Sequence, residues 1–508
     1  MKSILTSIAL LASSPSAFAG FDWQDHYTVE PIPLPQGVDP QVGGMTLTHD
    51  GKLAVCLHRG EVLIYDEDSQ HWSEFANGLH EPLGIHAEKD GSILVVQRAE
   101  LTRLVDEDGD GKADLHQVVC NDWGVSGNYH EFAFGLAKDS KGNYYISLGT
   151  ASNGSGVRSI IRGEWNNTGG LTQDKFLYGG SHGSWTEKKQ AVPRMYARVP
   201  YRGCILQISP DSRKAKVYAT GLRTPNGLFM DENDQLWVSD NQGDWLGASK
   251  LHKIEEGAFY GHAASLLWSR NPPDVTPADL PPASLDAMRR KAAALLPQGE
   301  CGNSITEMRV LRPSFAPIEN PGALIIGEMN QPRMPVYLPD TVNGQPQGAI
   351  MHFLDTPAIG GGINRMVWSP DGKSLYVGKT HLSWPGKEGI NRIRYNGHPF
   401  LQVQQFRLTA SGFEIQTNGE LTDVLKPDDY RIESFSLQYG PRYGSPKVDR
   451  SSETVAKVEK QGNSLIIHLK DKPRANRVYG IELPEQLSNE KLGPLSATRY
   501  WYTAHQVH

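Results

Sequence analysis

One pattern recurs six times along the chain: an apolar segment, a polar turn containing Asp and Gly, and a second apolar segment. Asp-Gly turns typically join adjacent antiparallel strands. A small sheet cannot bury both of its faces alone, so such units have to stack against one another. The six occurrences lie at residues 43–66, 81–106, 132–150 completed by 201–209, 224–244, 317–339 and 362–380. The repeat therefore predicts an all-β fold with a six-bladed β-propeller at residues 20–398; the weaker fifth unit leaves five or seven blades as alternatives.

The pattern changes after about residue 399. Segments such as "GFEIQT" and "YRIESFSLQY" alternate apolar and polar residues and are separated by turns. This alternation predicts a small immunoglobulin- or fibronectin-like β-sandwich at residues 399–508. Two insertions interrupt the earlier repeat, at 151–200 and 263–302, and the second contains "ASLDAMRRKAAALL", which predicts a helix. Long loops on a rigid scaffold commonly border a binding site, although they can also simply cover a face.

The first residues, "MKSILTSIALLASSPSAFAG", combine a lysine, a short apolar run and small residues at a cleavage position. This pattern predicts a cleaved signal peptide at 1–19 and therefore a periplasmic or secreted protein. The apolar run is too short to span a bilayer. The formal charge of −7 comes without a basic stripe, so nucleic acid is excluded as a partner. The four cysteines permit zero, one or two disulfides, and their wide spacing does not decide between these.

The stretch "LVDEDGDGKADL" concentrates carboxylates in one short loop. Asp106, Asp108, Asp110 and Asp114 follow a D-x-D-x-D-G-x-x-D spacing, in which alternate side chains of a tight loop converge. Calcium is bound by six to eight oxygen ligands, so the spacing favours a calcium loop between two blades. Gln117 stands where an EF-hand has glutamate, which argues against an EF-hand. The alternative is a hydrated Asp/Gly turn.

Polar residues stand just before the inner strands of several units. In a propeller these positions line one mouth of the central channel, and converging charged groups there often mark a functional site. We expect His130 to act as a general base and the two arginines to hold carboxylates or an oxyanion. Any one of these side chains could instead be a hydrogen-bonded filler. The residues are Glu81, His130, Glu131, Arg223, Asn226, Asn364 and Arg365.

The segment "SDNQGDW" at 239–245 brings several oxygen-bearing side chains near one glycine. Asp240 and its neighbours could ligate a metal, bind a sugar hydroxyl or form an Asx-rich turn. Trp185, Trp245 and Trp268 lie on loops and could stack on sugar rings.

Several motifs together resemble the sorbosone dehydrogenase-like members of the glucose/sorbosone dehydrogenase superfamily, which are six-bladed propellers. These motifs are "GLHEPLG", "GVSGNYHEFAFGL", "GLRTPNGL", "VSDNQGDW" and "INRMVWSPDGKSLYVG". The better-known relatives are quinoprotein sugar dehydrogenases that use pyrroloquinoline quinone with calcium. The resemblance implies His130 as the base, Arg223 and Arg365 as cofactor or substrate contacts, a sugar or aldose substrate, and a separate electron acceptor.

A second resemblance competes with the first. "TPNGLFMDENDQLWVSD" is also similar to a strand of regucalcin-like gluconolactonases, whose channel metal activates water. It implies a metal-dependent lactonase or lyase acting on a carbohydrate, with Asn226 as a metal ligand and Glu81 or Glu131 as partners. A third hypothesis is a non-catalytic propeller that binds glycan or protein.

Overall fold

The computed structural model describes residues 20–152, 159–164, 195–274, 277, 280–381, 386–444 and 446–508. The expected signal peptide at 1–19 and most of the 151–200 insertion, including Trp185, lie outside the described residues. No helix in these ranges is long and apolar enough to cross a bilayer.

The first three blades are antiparallel four-stranded sheets that follow one another along the chain. Strand β1 (Tyr27–Ile32) precedes them. Blade one contains β2 (Val42–Leu47), β3 (Leu53–Leu57), β4 (Val62–Asp66) and β5 (His71–Ala76). Blade two contains β6 (Gly84–Ala87), β7 (Ile93–Val96), β8 (Leu101–Val105) and β9 (Leu115–Cys120), and the two-residue β10 (Val125–Ser126) follows it. Blade three contains β11 (Ala133–Lys138), β12 (Tyr144–Leu148), β16 (Cys204–Ile208) and β17 (Ala215–Thr220); its insertion carries β13 (Ala151–Ser152), β14 (Ile160–Arg162) and β15 (Met195–Tyr196).

The remaining three blades complete a ring of six. Blade four contains β18 (Gly227–Met230), β19 (Leu236–Asp240), β20 (Ala248–Lys253) and β21 (Ala294–Pro297). Blade five contains β22 (Ile305–Val310), β23 (Leu324–Glu328), β24 (Val336–Val342) and β25 (Gln345–Met351). Blade six contains β26 (Ile363–Trp368), β27 (Ser374–Lys379) and β28 (Gly389–Tyr395), and β1 pairs with β28 as its outermost strand. The predicted six-bladed propeller is confirmed by this strand order.

Apolar clusters between neighbouring blades hold the ring together. Each pair of successive blades shares a core, for example Val95 and Leu104 of blade two against Cys56 of blade one. Central strands such as β3 and β7 are buried on both faces because a blade lies on each side. Their sequences are therefore continuous apolar runs. The four cysteines are buried, unpaired thiols, so no disulfide adds to these contacts.

The Asp-Gly turns close the hairpins as the repeat predicts. In the blade-three hairpin, Asp139 Oδ1 accepts hydrogen bonds from the backbone N–H groups of Lys141 and Asn143. Gly142 adopts φ +87°, a left-handed conformation that glycine reaches without steric cost. The turn residues therefore fix the register that places each inner strand beside the channel.

The C-terminal residues form the predicted sandwich, but one of its sheets is continuous with blade five. The first sheet contains β29 (Val403–Thr409), β30 (Gly412–Thr417), β34 (Ser464–Leu469) and β33 (Val455–Gln461). The second contains β38 (Arg499–Ala504), β35 (Arg477–Glu482), β31 (Arg431–Leu437) and β32 (Lys447–Glu453). The two-residue strands β36 (Ser488–Asn489) and β37 (Gly493–Pro494) form a separate hairpin. Because β38 pairs with β25, the outer edge of blade five is covered and does not stay open.

Two expectations about the second insertion need correction. Helix α1 spans only Pro282–Met288, and residues 294–296, expected within that helix, belong to β21 (Ala294–Pro297). Pairing with β20 outweighs the helix propensity of the Ala- and Leu-rich segment. The inner strand of blade five, β22, also begins earlier than the 317–339 unit. Short 3-10 helices lie at Trp23–Asp25, Ala263–Trp268, Pro357–Ile359 and Pro427–Asp429.

Candidate functional site

His130 lies at the start of blade three, between β10 and β11. Its Nδ1 is 2.8 Å from the carbonyl oxygen of Thr150. A carbonyl only accepts, so Nδ1 carries the proton and Nε2 carries the lone pair. The backbone N–H of His130 donates to Asn128 Oδ1 at 3.0 Å, and the rings of Tyr129 and Phe132 flank the imidazole. These contacts hold the ring in the tautomer that a general base needs.

Thr150 joins His130 to Arg223 of the next blade. The backbone N–H and the hydroxyl of Thr150 both donate to the carbonyl oxygen of Arg223, each at 2.9 Å. Thr150 is fully buried, so these bonds are shielded from water. The fold therefore brings together two of the predicted site residues, one from blade three and one from blade four.

Asp240 fixes the backbone around Arg223. Its Oδ1 accepts from the N–H groups of Arg223 and Thr224 at 3.0 and 2.7 Å, and its Oδ2 is 3.3 Å from Lys250 Nζ. Burial lowers the pKa of Lys250, whereas Asp240 acts to raise it. Both side chains are buried, so the carboxylate is compensated inside the protein and positions Arg223.

Arg365 lies on the propeller axis and is saturated with hydrogen bonds. Its Nε donates to Gly43 O of blade one and its Nη2 to Leu83 O of blade two, at 2.8 and 2.9 Å. Its Nη1 donates to Asn226 Oδ1 of blade four at 2.9 Å and to Asn364 Oδ1 at 3.0 Å. Burial lowers the pKa of Arg365. We call Arg365, Asn226 and Asn364 the axial plug, because together they tie four blades across the channel.

Glu81 and Glu131 bind two buried arginines that the sequence analysis missed. Glu81 pairs with Arg98, whose other N–H groups donate to backbone carbonyls of residues 128, 129 and 131. Glu131 Oε2 accepts from Ser126 N at 2.8 Å and is 3.9 Å from Arg202 Nε. Both arginines thus brace the loop before His130. The contacts in the described ranges do not bring Glu81, Glu131 and Asn226 together around one metal position.

A cavity of about 460 Å³ opens beside this loop at the mouth. Tyr129, which is half-exposed, and Phe132 form its aromatic wall, and both also contact the His130 ring. Burial is the main cause that lowers the pKa of His58 in the same wall. His130 therefore lies close to a mouth cavity with aromatic walls, polar walls and one charged pair, Glu81 and Arg98.

The acidic loop brings three of its four aspartates together. Ligand oxygens of Asp106, Asp108 and Asp114 lie within 4.8 Å of one another, and Asp110 is outside this group. Asp106 accepts from the backbone N–H groups of Gly109 and Gly111, so the turn is held by its own carboxylates. The loop lies at the β8–β9 hairpin on the outer side of blade two, away from His130.

Comparison with known proteins places the chain beside sugar dehydrogenase propellers at low identity. No family model and no curated protein matches it. An oxidoreductase described as a glucose dehydrogenase, from Thermus thermophilus, is 16% identical, covers 72% of this chain and 99% of its own, with a TM-score of 0.49. The PQQ-bound aldose sugar dehydrogenase of Streptomyces coelicolor is 14% identical over 72% of this chain and 98% of its own, with a TM-score of 0.46. The PQQ domain of Coprinopsis cinerea pyranose dehydrogenase is 14% identical over 72% of this chain and 95% of its own, with a TM-score of 0.48.

These solved structures are what the chain is similar to. The propeller is established by the strand pairing of this chain itself.

Proposed function

We propose that the protein is an oxidoreductase that acts on a sugar or aldose hydroxyl. The observation that supports the proposal is the link from the His130 imidazole through Thr150 to the backbone carbonyl of Arg223, which joins two of the expected site residues across blades three and four. The sugar class is supported by the motif resemblance. Export to the periplasm or medium is supported by the pattern of residues 1–19.

The proposed chemistry divides between the two side chains. His130 Nε2 takes the proton of the substrate hydroxyl, and Arg223 stabilises the oxyanion that develops. The carbon–hydrogen bond then breaks, and its hydride leaves to a two-electron acceptor. The substrate loses one proton and one hydride and becomes a carbonyl compound, so the reduced acceptor must pass its electrons to a separate partner.

The resemblance implies pyrroloquinoline quinone as that acceptor, with calcium. A quinone with three carboxylates needs several uncompensated cations. In the described ranges Arg365, Arg98 and Arg202 are bonded to carbonyls, amides or carboxylates, and Lys250 is paired with Asp240. Arg223 keeps an unpaired Nε, but one cation does not balance three carboxylates, so these residues do not fit the cofactor. The acceptor class is a diffusible or separately bound two-electron acceptor.

The competing hydrolase proposal has less support. It requires Asn226 and a glutamate to share a channel metal, but Asn226 Oδ1 accepts from Arg365 and Glu81 binds Arg98. Hydrolysis is therefore an outcome to be tested and is not proposed here.

Dye-linked oxidation of a sugar panel tests the proposed function. We expect turnover with at least one aldose, measured with and without added pyrroloquinoline quinone and calcium. Turnover that requires added quinone would overturn our conclusion about the cofactor. Hydrolysis of a sugar lactone without dye reduction would overturn the oxidoreductase proposal, and saturable sugar binding without either reaction would leave a binding protein.

A further inference from the structure

A second cavity, of about 840 Å³, lies where blade five meets the sandwich. Its floor is the outer face of the sheet β38–β35–β31–β32, and its wall carries Glu300, Arg333, His352 and Asp355 from blade five and the loop before it. The volume falls in the range of about 300–1,000 Å³ that is usual for ligand sites. No described residue lines both this cavity and the one beside His130. We call this separate cavity the junction cleft.

Two rows of side chains cross the floor of the junction cleft. Residues opposite each other in paired strands share a face. The rows are Arg431–Glu482–Arg499 and Glu433–Gly480–Trp501. The side chains of Glu433 and Glu482 are nearly half-exposed, whereas Trp501 packs on the His352 ring with centroids 4.8 Å apart. The floor therefore presents accessible charged groups around a glycine that has no side chain.

The fold does not require a glycine at position 480. Gly480 is not in the left-handed region, and the nearest atom that a Cβ would meet is Glu433 Cγ at 3.4 Å, an ordinary contact. The Cβ would also lie 3.9 Å from Trp501 Cδ1. Glycine inside a strand weakens the strand and often marks a place where a ligand approaches closely. The open space above Gly480 therefore points to a ligand on this floor.

Each carboxylate that lines the junction cleft is paired with a cation. The ion pairs are Glu300–Lys447, Asp355–Arg333, Glu433–Arg450, Glu453–Arg474 and Glu482–Arg499. Burial lowers the pKa of His352 to about 3, so its imidazole is uncharged. A charged ligand would therefore have to compete with an existing ion pair for every contact that it makes in the cleft.

The lining favours hydroxyl groups. A carboxylate only accepts hydrogen bonds and a guanidinium only donates them, whereas a hydroxyl does both. Neighbouring hydroxyls of a sugar ring can donate to Glu482 and accept from Arg431 or Arg499 without bringing net charge. A peptide strand has less to gain, because β31, β35 and β38 each pair on both sides and their backbone groups are already bonded.

We propose that the junction cleft binds a neutral oligosaccharide segment. Glu433, Glu482 and the neighbouring arginines hold its hydroxyls, and the space above Gly480 receives one of its rings. The cleft has almost twice the volume of the cavity at the mouth, which suits more than one ring. The proposal does not depend on the oxidoreductase function. The same chemistry fits a free oligosaccharide and a segment of an insoluble polymer.

Calorimetry on the full-length His130→Ala chain tests this proposal without turnover at the mouth. The neutral probes are maltotriose, cellotriose and the trimer of N-acetylglucosamine; the galacturonate trimer and the glucosamine trimer are the anionic and cationic counterparts. We expect saturable binding of at least one neutral trisaccharide and weaker binding of both charged ones. No saturable binding of a neutral trisaccharide, or tighter binding of a charged one, would overturn the proposal.

Co-sedimentation with insoluble starch, cellulose and chitin distinguishes the two sources of the ligand. A chain that sediments with one of these polymers, and is released by the matching trisaccharide, binds the polymer. A chain that binds a trisaccharide and stays in solution with every polymer takes the free oligosaccharide.

Matched variants locate the binding. Gly480→Val fills the space on the floor and should abolish saturable binding, and Gly480→Ala should weaken it. Glu433→Ala should weaken binding about tenfold, the usual loss for a hydrogen bond to a charged group. Glu485→Ala, an exposed glutamate of the sandwich outside the cleft, should change nothing. Circular dichroism shows which variants fold. Wild-type affinity in a folded Gly480→Val or Glu433→Ala chain would reject the cleft, so one of the two is enough.

The outcomes separate this proposal from the proposed function. Trisaccharide binding that is lost in Gly480→Val, in a chain that oxidises no sugar, supports the cleft and rejects the oxidoreductase. Trisaccharide binding that is lost in Arg223→Gln and kept in Gly480→Val would place the sugar at the mouth and overturn the cleft.

Discussion

The axial plug and the propeller mouth each contain a buried arginine, and the sequence predicts that both arginines hold carboxylates or an oxyanion. At the axis, Nε, Nη1 and Nη2 of Arg365 all donate to partners from other blades. At the mouth, the Nε of Arg223 has no acceptor among the described residues, and its Nη2 reaches only a sulfur. The saturated arginine braces the fold, whereas the unsaturated one has capacity for a ligand. Both residues are arginines and both are buried, so the number of hydrogen-bond partners is what separates them.

The largest effect should come from replacing His130. This substitution alters the propeller mouth and leaves the axial plug intact. We expect His130→Ala to lower sugar oxidation by about 10²–10⁴-fold, the usual contribution of a general base. The melting temperature should stay close to that of wild type, since the imidazole is only partly buried. Dye-linked turnover and circular dichroism measure both. Unchanged turnover would remove His130 from the mechanism.

Breaking the plug should cost stability. Arg365→Met removes the hydrogen bonds donated to three backbone carbonyls and two asparagine oxygens, and we expect the free energy of unfolding to fall by about 3–5 kcal/mol. Denaturant unfolding measures this, with Arg394→Met, an exposed arginine of the same blade, as the control. A loss below that of the control variant would contradict the bracing role.

The mouth arginine should show the opposite profile. Arg223→Gln should raise the KM for the sugar about tenfold, while unfolding free energy changes by less than about 1 kcal/mol because an unpaired buried donor disappears together with its contacts. Steady-state kinetics and denaturant unfolding of the same preparation test this. A large loss of stability with unchanged KM would make Arg223 a second brace.

Two buried histidines, one in blade four and one in the sandwich, should make the free energy of unfolding depend on pH independently of both arginines. Burial lowers the pKa of His252 to about 3 and of His505 to about 4. Unfolded histidine titrates near 6.5, so below that pH the unfolded chain binds protons that the folded chain does not, and stability falls as the pH falls. The loss should be up to about 1.4 kcal/mol per pH unit for each histidine. Unfolding at pH 6.5 and 5.5 should show a smaller slope for His505→Gln than for wild type.

The smallest expected effect concerns the acidic loop, remote from both arginines. We propose that Asp106, Asp108 and Asp114 bind calcium with a structural role. Added calcium should then raise the melting temperature by a few degrees through mass action, and Asp108→Asn should remove the rise. Sugar oxidation should not change. An equal rise in wild type and variant would reject the loop as a calcium site.

Much of the fold could be read from the sequence because local chemistry determines it. Asp and Gly fix each hairpin turn, and an apolar strand on each side of the turn fixes its register. The continuation of blade five into the sandwich was not predictable, since it depends on the edge of β25 meeting β38 about 150 residues later. The segment 294–297 was misassigned for the same reason: its partner in β20 is not a neighbour in sequence.

The candidate site was predicted in part. His130 and Arg223 come together as their positions before inner strands imply. The plug was not foreseen, because the saturation of Arg365 depends on carbonyls from other blades. Arg98 and Thr150 were missed although both follow a second strand, and in an antiparallel hairpin that end faces the same mouth as the start of the inner strand. Both residues could have been predicted by considering the positions after each second strand together with those before each inner strand.

The ring is completed by its earliest strand, because β1 pairs with β28 along its whole length, from Tyr27 opposite Tyr395 to Ile32 opposite Ile390. Strand β1 therefore has no partner until synthesis reaches β28, about 360 residues later. Until then β1 is an unpaired strand with backbone groups that could pair with another chain. A circularly permuted version that carries β1 directly after β28 would remove that wait, and the time needed to reach the closed ring should shorten accordingly.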